Sequence, residues 1–217
     1  MTATSVLAWH FGGKRMRDGR PFPADGETLR HIGPIIMCKA GLHASMQIIH
    51  AVLYAPGNMI FRVECGGVIE THTDKLVCTE RTILWRIDGE KVLREFARWC
   101  ALSVIDKWNA PKTVQRYLET GDESIRNAAR NAARNVTWDA TRYAAWAAAW
   151  SARNVTWYAA RYAAWYAARY AAQSVREAAR NERDATWDAA RAVQNAKLTE
   201  MVEKEHQRIA SSEPLDT

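Results

Sequence analysis

Apolar and polar positions follow two rhythms in this chain, and the change falls near Gly121. Before it, short apolar runs bounded by glycine and proline predict strands at residues 5–11 (SVLAWHF), 34–38 (PIIMC), 59–65 and 75–87, the last as one bent strand or two. In the third run Met59, Phe61, Val63 and Cys65 alternate onto one face. Residues 14–33 carry charges, glycines and prolines and read as irregular. The spacing at 46–54 predicts a short helix capped by Ser45 and closed at Pro56-Gly57. A broad apolar stripe predicts a helix over 90–108 capped by Asp88, and Pro111 opens another to 119. Thr120-Gly121-Asp122-Glu123 has the form of a capping box.

Beyond Gly121 the apolar positions become alanine pairs with interleaved Trp, Tyr and Arg, and about ninety residues contain no helix breaker. Residues 133–150 repeat as 152–169 at a shift of 19, matching at 14 of 18 positions. A run of continuous helix is the local expectation. Such a helix would leave its rings in water, so it should self-associate as a homo-oligomer or fold back near Gln173-Ser174 or within 180–184. The fold class is therefore α+β: a small, mainly antiparallel sheet domain with helices over 1–120, a long Ala/Trp/Arg-rich helical region over 121–210, and a disordered tail from 211.

Charge changes this picture in one place. The chain is +6 overall, yet between Arg126 and Arg176 eight arginines face a single acid, Asp139. Arginine interleaved with aromatic rings suits phosphate contact combined with stacking, so Arg134, Arg142, Arg153, Arg161, Arg169, Trp146 and Trp165 are candidates for binding a nucleotide or nucleic acid. The alternative is that these arginines lie over Trp faces and keep an alanine-rich helix in solution. A third, an amphipathic helix on an anionic membrane, uses the same residue types.

No window of about twenty residues is free of charge, which excludes a membrane span, and no basic start joins an apolar run near Met1, so the chain reads as cytoplasmic. The four cysteines form no C-x-x-C pair and read as buried free thiols; no motif calls for a metal or a cofactor. The remaining candidate chemistry is polar: His10, Cys38, His43, Ser45, Asp74 and Lys75, with Cys38 and His43 near enough in sequence for a thiol–imidazole pair.

The pattern Cys38-x-x-Gly41-Leu42-His43-Ala44-Ser45, Tyr54-Ala55-Pro56-Gly57, Val63-Glu64-Cys65-Gly66-Gly67 and Asp74-Lys75-Leu76-Val77-Cys78 resembles an uncharacterised domain of hypothetical phage and bacterial proteins, over about residues 5–120. The resemblance implies a phage accessory role, such as interference with host nucleotide-based defence, and no established activity. Where other members carry a second cysteine after His-Ala, this chain has Ser45. The segment around His43 is also similar to ADP-ribosyltransferase-like folds, which implies His10, His43 and Ser45 beside a dinucleotide, with Glu64 or Glu80 as the acid. The expected function is non-enzymatic binding of a phosphate-bearing ligand; the alternatives are that enzyme and a structural oligomer.

Overall fold

The computed structural model describes residues 5–134, 142–173 and 180–212. They divide into two units, one of residues up to Gly89 together with those from Val202, the other Glu90–Met201. Among the described residues the architecture is mixed, with a five-stranded antiparallel sheet and seven α-helices, as the two rhythms of the sequence indicate.

The first unit contains β1 (Val6–Gly12), β2 (Thr28–Arg30), β3 (Leu42–Ala44), α1 (Ile48–Ala51), β4 (Met59–Thr71) and β5 (Leu76–Asp88). β4 and β5 form its spine as a long hairpin, and β1 pairs with the first half of β4. On the far side of β5, β3 pairs with Leu76–Cys78 and β2 with Glu80–Thr82. The sheet then returns on itself: beyond β3, Ser45 and Trp9 exchange backbone hydrogen bonds of 2.8 and 2.9 Å. Phe61, Val63 and Cys65 of β4 pack inside the curve with Ala8, Ala44 and Ile83, as the alternation of β4 predicts. The curvature is sharpened by a register shift between Gly66 and Ile69. Gly67 sits there at φ +71, and a Cβ on it would lie 2.1 Å from Thr79 Oγ1, so a larger residue could not take that place.

Several local expectations are corrected here. Residues 34–38 form no strand: Ile36 bridges to Ala40 around a turn in which Cys38 adopts φ 64. The edge positions go instead to β2, from the stretch read as irregular, and to β3. Ser45 caps no helix, because its backbone is taken by Trp9; α1 starts after Gln47, whose side chain makes no capping bond, and passes into a 3-10 turn over Val52–Tyr54. Asp88 is the last residue of β5, and α2 begins two residues later at Glu90. Cys65, Cys78 and Cys100 are buried free thiols, but Cys38 is exposed.

The second unit is helical: α2 (Glu90–Leu102), α3 (Lys112–Thr120), α4 (Arg126–Arg134), α5 (Arg142–Ser151), α6 (Thr156–Gln173) and the start of α7 (Arg180–Ser212), whose residues from Val202 count with the first unit. α2 ends at Leu102, short of the expected Trp108, and a 3-10 turn at Ile105–Lys107 follows. Thr120 forms no capping box. Its hydroxyl bonds to the Arg116 carbonyl, and Asp122 does the capping by accepting from the Ser124 N–H at 3.0 Å. Continuous helix is also corrected, since the chain turns at residues 152–155 between α5 and α6.

That turn gives the repeat its meaning. Arg134 and Arg153 are equivalent across the 19-residue shift; α4 ends at the first, and the second follows α5 just after Ser151. Asn154 and the β-branched Val155 and Thr156 are weaker helix formers than the alanines around them, so the helix breaks where they come together. Ala144, Ala145 and Ala148 of α5 and Ala160, Ala163 and Ala164 of α6 are all buried. The two helices pack on each other and both pack on α2. Part of the burial expected from self-association or from folding back is thus supplied by helices of the same chain. Residues 180–184 begin α7 and make no turn, and Ser174 lies outside the described residues, as do 213–217 of the expected tail.

Two buried polar contacts fix the helical register. Tyr117 donates to the Ser151 carbonyl at 3.2 Å and Gln194 Nε2 donates to the Ala164 carbonyl at 2.9 Å. Rings fill the space that alanine leaves: Trp150 stacks on Tyr162 at 4.3 Å, and Trp146 meets Tyr166 edge-on at 5.1 Å.

Candidate functional site

The first unit encloses a cavity of about 1130 Å³ bounded by β1, β3, the loop of residues 13–22 and the turn at Cys38. Of the sequence candidates, His10, Cys38, His43, Ser45 and Lys75 line it. Asp74 stands one contact behind: it accepts from the Tyr54 hydroxyl, to which Lys75 Nζ donates at 3.2 Å while lying 4.7 Å from the Tyr54 ring centre. The Tyr54 hydroxyl bond holds the Asp74 carboxyl below its usual range, and the bonds that Lys75 donates to Tyr54 and to the Cys38 sulfur raise the pKa of its ammonium.

His43 is fixed by the turn that precedes it. The Cys38 N–H donates to His43 Nε2 at 2.9 Å, so that nitrogen must be unprotonated. Gly41 makes the approach feasible with φ +108; a Cβ on it would lie 2.5 Å from Val77 Cγ2. Burial lowers the His43 pKa, a bond to the Gly41 backbone opposes that, and Arg81 and Lys75 lower it further. His10 lies 5.8 Å from the ring of Phe61 and 6.2 Å from that of Phe22. Burial holds its pKa well below the ordinary value, with the Arg81 charge adding to the effect. Both imidazoles are therefore neutral at pH 7, and the thiol–imidazole pairing reduces to a bond from the Cys38 backbone.

Arg81 is the residue that sequence reasoning missed. It lines the cavity at 5 % exposure, its Nη1 donates to the His43 carbonyl at 2.7 Å, and its Nε is buried without a hydrogen-bond partner. No ion pair compensates it among the described residues; the acidic groups acting on it are the thiols of Cys65 and Cys78. Burial accordingly lowers its pKa, which is the mark of an uncompensated charge. The signal lay in the alternation of β5, where Arg81 falls two residues before the buried Ile83 and so on the same face.

Further cations stand around the opening: Arg15, Arg17, Arg20, Arg30 and Lys39. Asp18 is the one acid in the lining; it pairs with Arg20 at 2.7 Å, and Arg30 pairs with Glu80. Neither Glu64, which accepts from Ser5, nor Glu80 belongs to the lining, so the acid required by an ADP-ribosyltransferase-like reading is missing from the wall. Among the described residues no group of three or more His, Cys, Asp or Glu could hold a metal ion, and no helix is long and apolar enough to cross a membrane.

The candidates of the helical region fall in the second unit. Arg153 lies 4.6 Å over Trp150, Arg161 5.3 Å from the Tyr162 ring, and Arg169 5.9 Å from both Tyr143 and Trp165. Trp146 and Trp165 pack against Tyr166, and Arg134 is exposed at the end of α4. Arg142 opens α5, and its side chain lies outside the described residues. Three of the arginines thus have aromatic partners already.

Residues 6–95 match the family model of a Domain of unknown function (DUF7666), a span that includes the sheet and every residue lining the cavity. The resemblance to an uncharacterised domain is thereby supported over a shorter stretch than the 5–120 expected. A search of curated proteins and a search of solved structures each find no match, so the likeness to ADP-ribosyltransferase-like folds gains nothing from them.

Proposed function

We propose that the chain is a binding protein for a small phosphate-bearing ligand of nucleotide size, held in the cavity of the first unit. The observation that carries this reading is Arg81, a buried guanidinium with an unpartnered Nε and no carboxylate beside it. A buried cation of this kind is costly without an anion, and guanidinium is suited to paired bonds with phosphate oxygens. The exposed cations at the mouth would attract an anion, and the cavity volume suits a nucleotide better than a polymer. Sequestering a host nucleotide signal is the accessory role such binding would serve.

The test is incubation of the full chain with a nucleotide panel at low salt, followed by chromatography of free ligand and of material released on denaturation. Depletion with intact release supports binding. Conversion to a new product would replace the reading with an enzymatic one, and retention of oligonucleotides alone would move it to nucleic acid. No depletion of any nucleotide would sink it.

A further inference from the structure

Resting on that reading, we infer that the ligand carries two phosphoryl groups, one bound at Arg81 in the depth of the cavity and one at its mouth by Arg17 and Lys39. The charges of the lining lead there. Arg20 is neutralised by Asp18 and Arg30 by Glu80, and Lys75 lies beside Asp74. That leaves Arg81, Arg15, Arg17 and Lys39 as lining cations with no ion pair among the described residues. A single phosphomonoester brings a charge of about −1.5 to −2, which would leave roughly half of this unbalanced.

Depth separates the four into two sets. Arg81 is nearly inaccessible, whereas Arg15, Arg17 and Lys39 are exposed, so one phosphoryl group is poorly placed to engage both sets in a cavity of this volume. The backbone that carries the outer set is ordered by bonds within the chain. Arg15 Nη1 bonds to the Gly19 carbonyl at 3.1 Å, and Met16 and Arg20 close the loop around Arg17 with a backbone bond of 2.9 Å. Lys39 follows Cys38 in the turn whose backbone N–H is fixed on His43. Two separated cationic positions on ordered backbone match two phosphoryl groups linked through one ligand, and the aromatic wall of Phe22 and Tyr54 leaves an apolar surface for the remainder.

The experiment is calorimetric titration of the full chain with AMP, ADP and inorganic pyrophosphate at low salt. It is repeated on the Arg17→Gln/Lys39→Gln double variant and on Arg81→Gln, with thermal melting as a check on folding. ADP is expected to bind about tenfold or more tightly than AMP, with pyrophosphate competing for its site. The double variant changes two exposed side chains and should melt like the parent, lose about tenfold in affinity for ADP, and lose clearly less for AMP. Arg81→Gln should weaken both nucleotides. Equal affinities for AMP and ADP, or an unaltered ADP affinity in the double variant, would overturn the two-phosphoryl assignment while leaving the cavity as a monophosphate site. No binding of any of the three probes by the parent would overturn the two-phosphoryl assignment, whereas the proposed function falls only when the whole nucleotide panel shows no depletion.

Discussion

Three arginines of the helical unit and Arg81 of the sheet unit are held in different ways. In the helical unit Arg153, Arg161 and Arg169 rest against aromatic rings, and the helices beneath are closed by alanine methyls with little space between them. In the sheet unit Arg81 is buried beside a cavity with one of its donors unused. A stretch of +7 drew attention to the helices, but density of charge is a poor guide to a site. A cation covered by a ring is already partly satisfied, whereas a desolvated cation lacking a partner is prepared for an anion from outside.

The strongest way to break this contrast is through the sheet core. Phe61→Ala removes a fully buried ring that also packs on Phe22 of the cavity wall, and should cost about 3–5 kcal/mol. Denaturant unfolding followed by hydrogen exchange should show β4 and β5 losing protection before α5 and α6; equal loss in both units would deny them separate character. Ala160→Leu makes the converse change, forcing a larger side chain into a buried alanine position of α6, and should cost about 1–3 kcal/mol by thermal melting. A neutral result would mean that the alanine faces are loosely packed.

The pH dependence should belong to the sheet unit. His10 and His43 have pKa values below the ordinary histidine value of about 6.5 when folded, so near and below that pH the unfolded chain takes up protons that the native chain refuses. Stability is therefore complete above about 6.5 and falls as the pH drops toward the native pKa values, by at most about 1.4 kcal/mol per pH unit for each histidine. His10→Gln should flatten that slope in melting curves taken between pH 7 and 5. An unchanged slope would show that His10 takes up its proton as readily in the native state as in the unfolded chain. The smallest effect is expected from Arg153, Arg161 and Arg169 changed together to Gln: nucleotide affinity at moderate salt should shift by less than about twofold, because ring-covered cations outside the cavity lining contribute little once salt screens them. A larger loss would return the ligand to the helices.

Much of the fold was legible because it rests on local periodicity. The alternation of β4, the extended stretch that becomes β5 and the start of α3 after Pro111 all follow from spacing and backbone chemistry, while the choice of one strand over two at β5 does not. Residues 34–38 misled because an apolar run was read as a strand, whereas the preference of Ile36 for Ala40 and the left-handed Cys38 make it a turn. Ser45 misled because a good cap residue lost its backbone to Trp9 across the sheet, a partner thirty-six positions away. His10, Cys38, His43, Ser45 and Lys75 were chosen as polar residues near turns, and closure of the sheet brings them around one cavity. Arg81 escapes a reading by residue type because a charged residue within a strand is usually on the solvent side, although its alternation with Ile83 sets it on the buried face.

The sequence by itself determined two kinds of chain, one alternating and one alanine-paired, because side-chain periods of two and near 3.6 are local properties of the backbone. It also placed the excess of arginine, since charge needs no coordinates to be counted. Which cation would be left desolvated and unmatched was decided by tertiary structure alone. Burial and pairing depend on what long-range strand registry brings near, and no local pattern around Arg81 records that its neighbours would be two histidines and two thiols rather than a carboxylate.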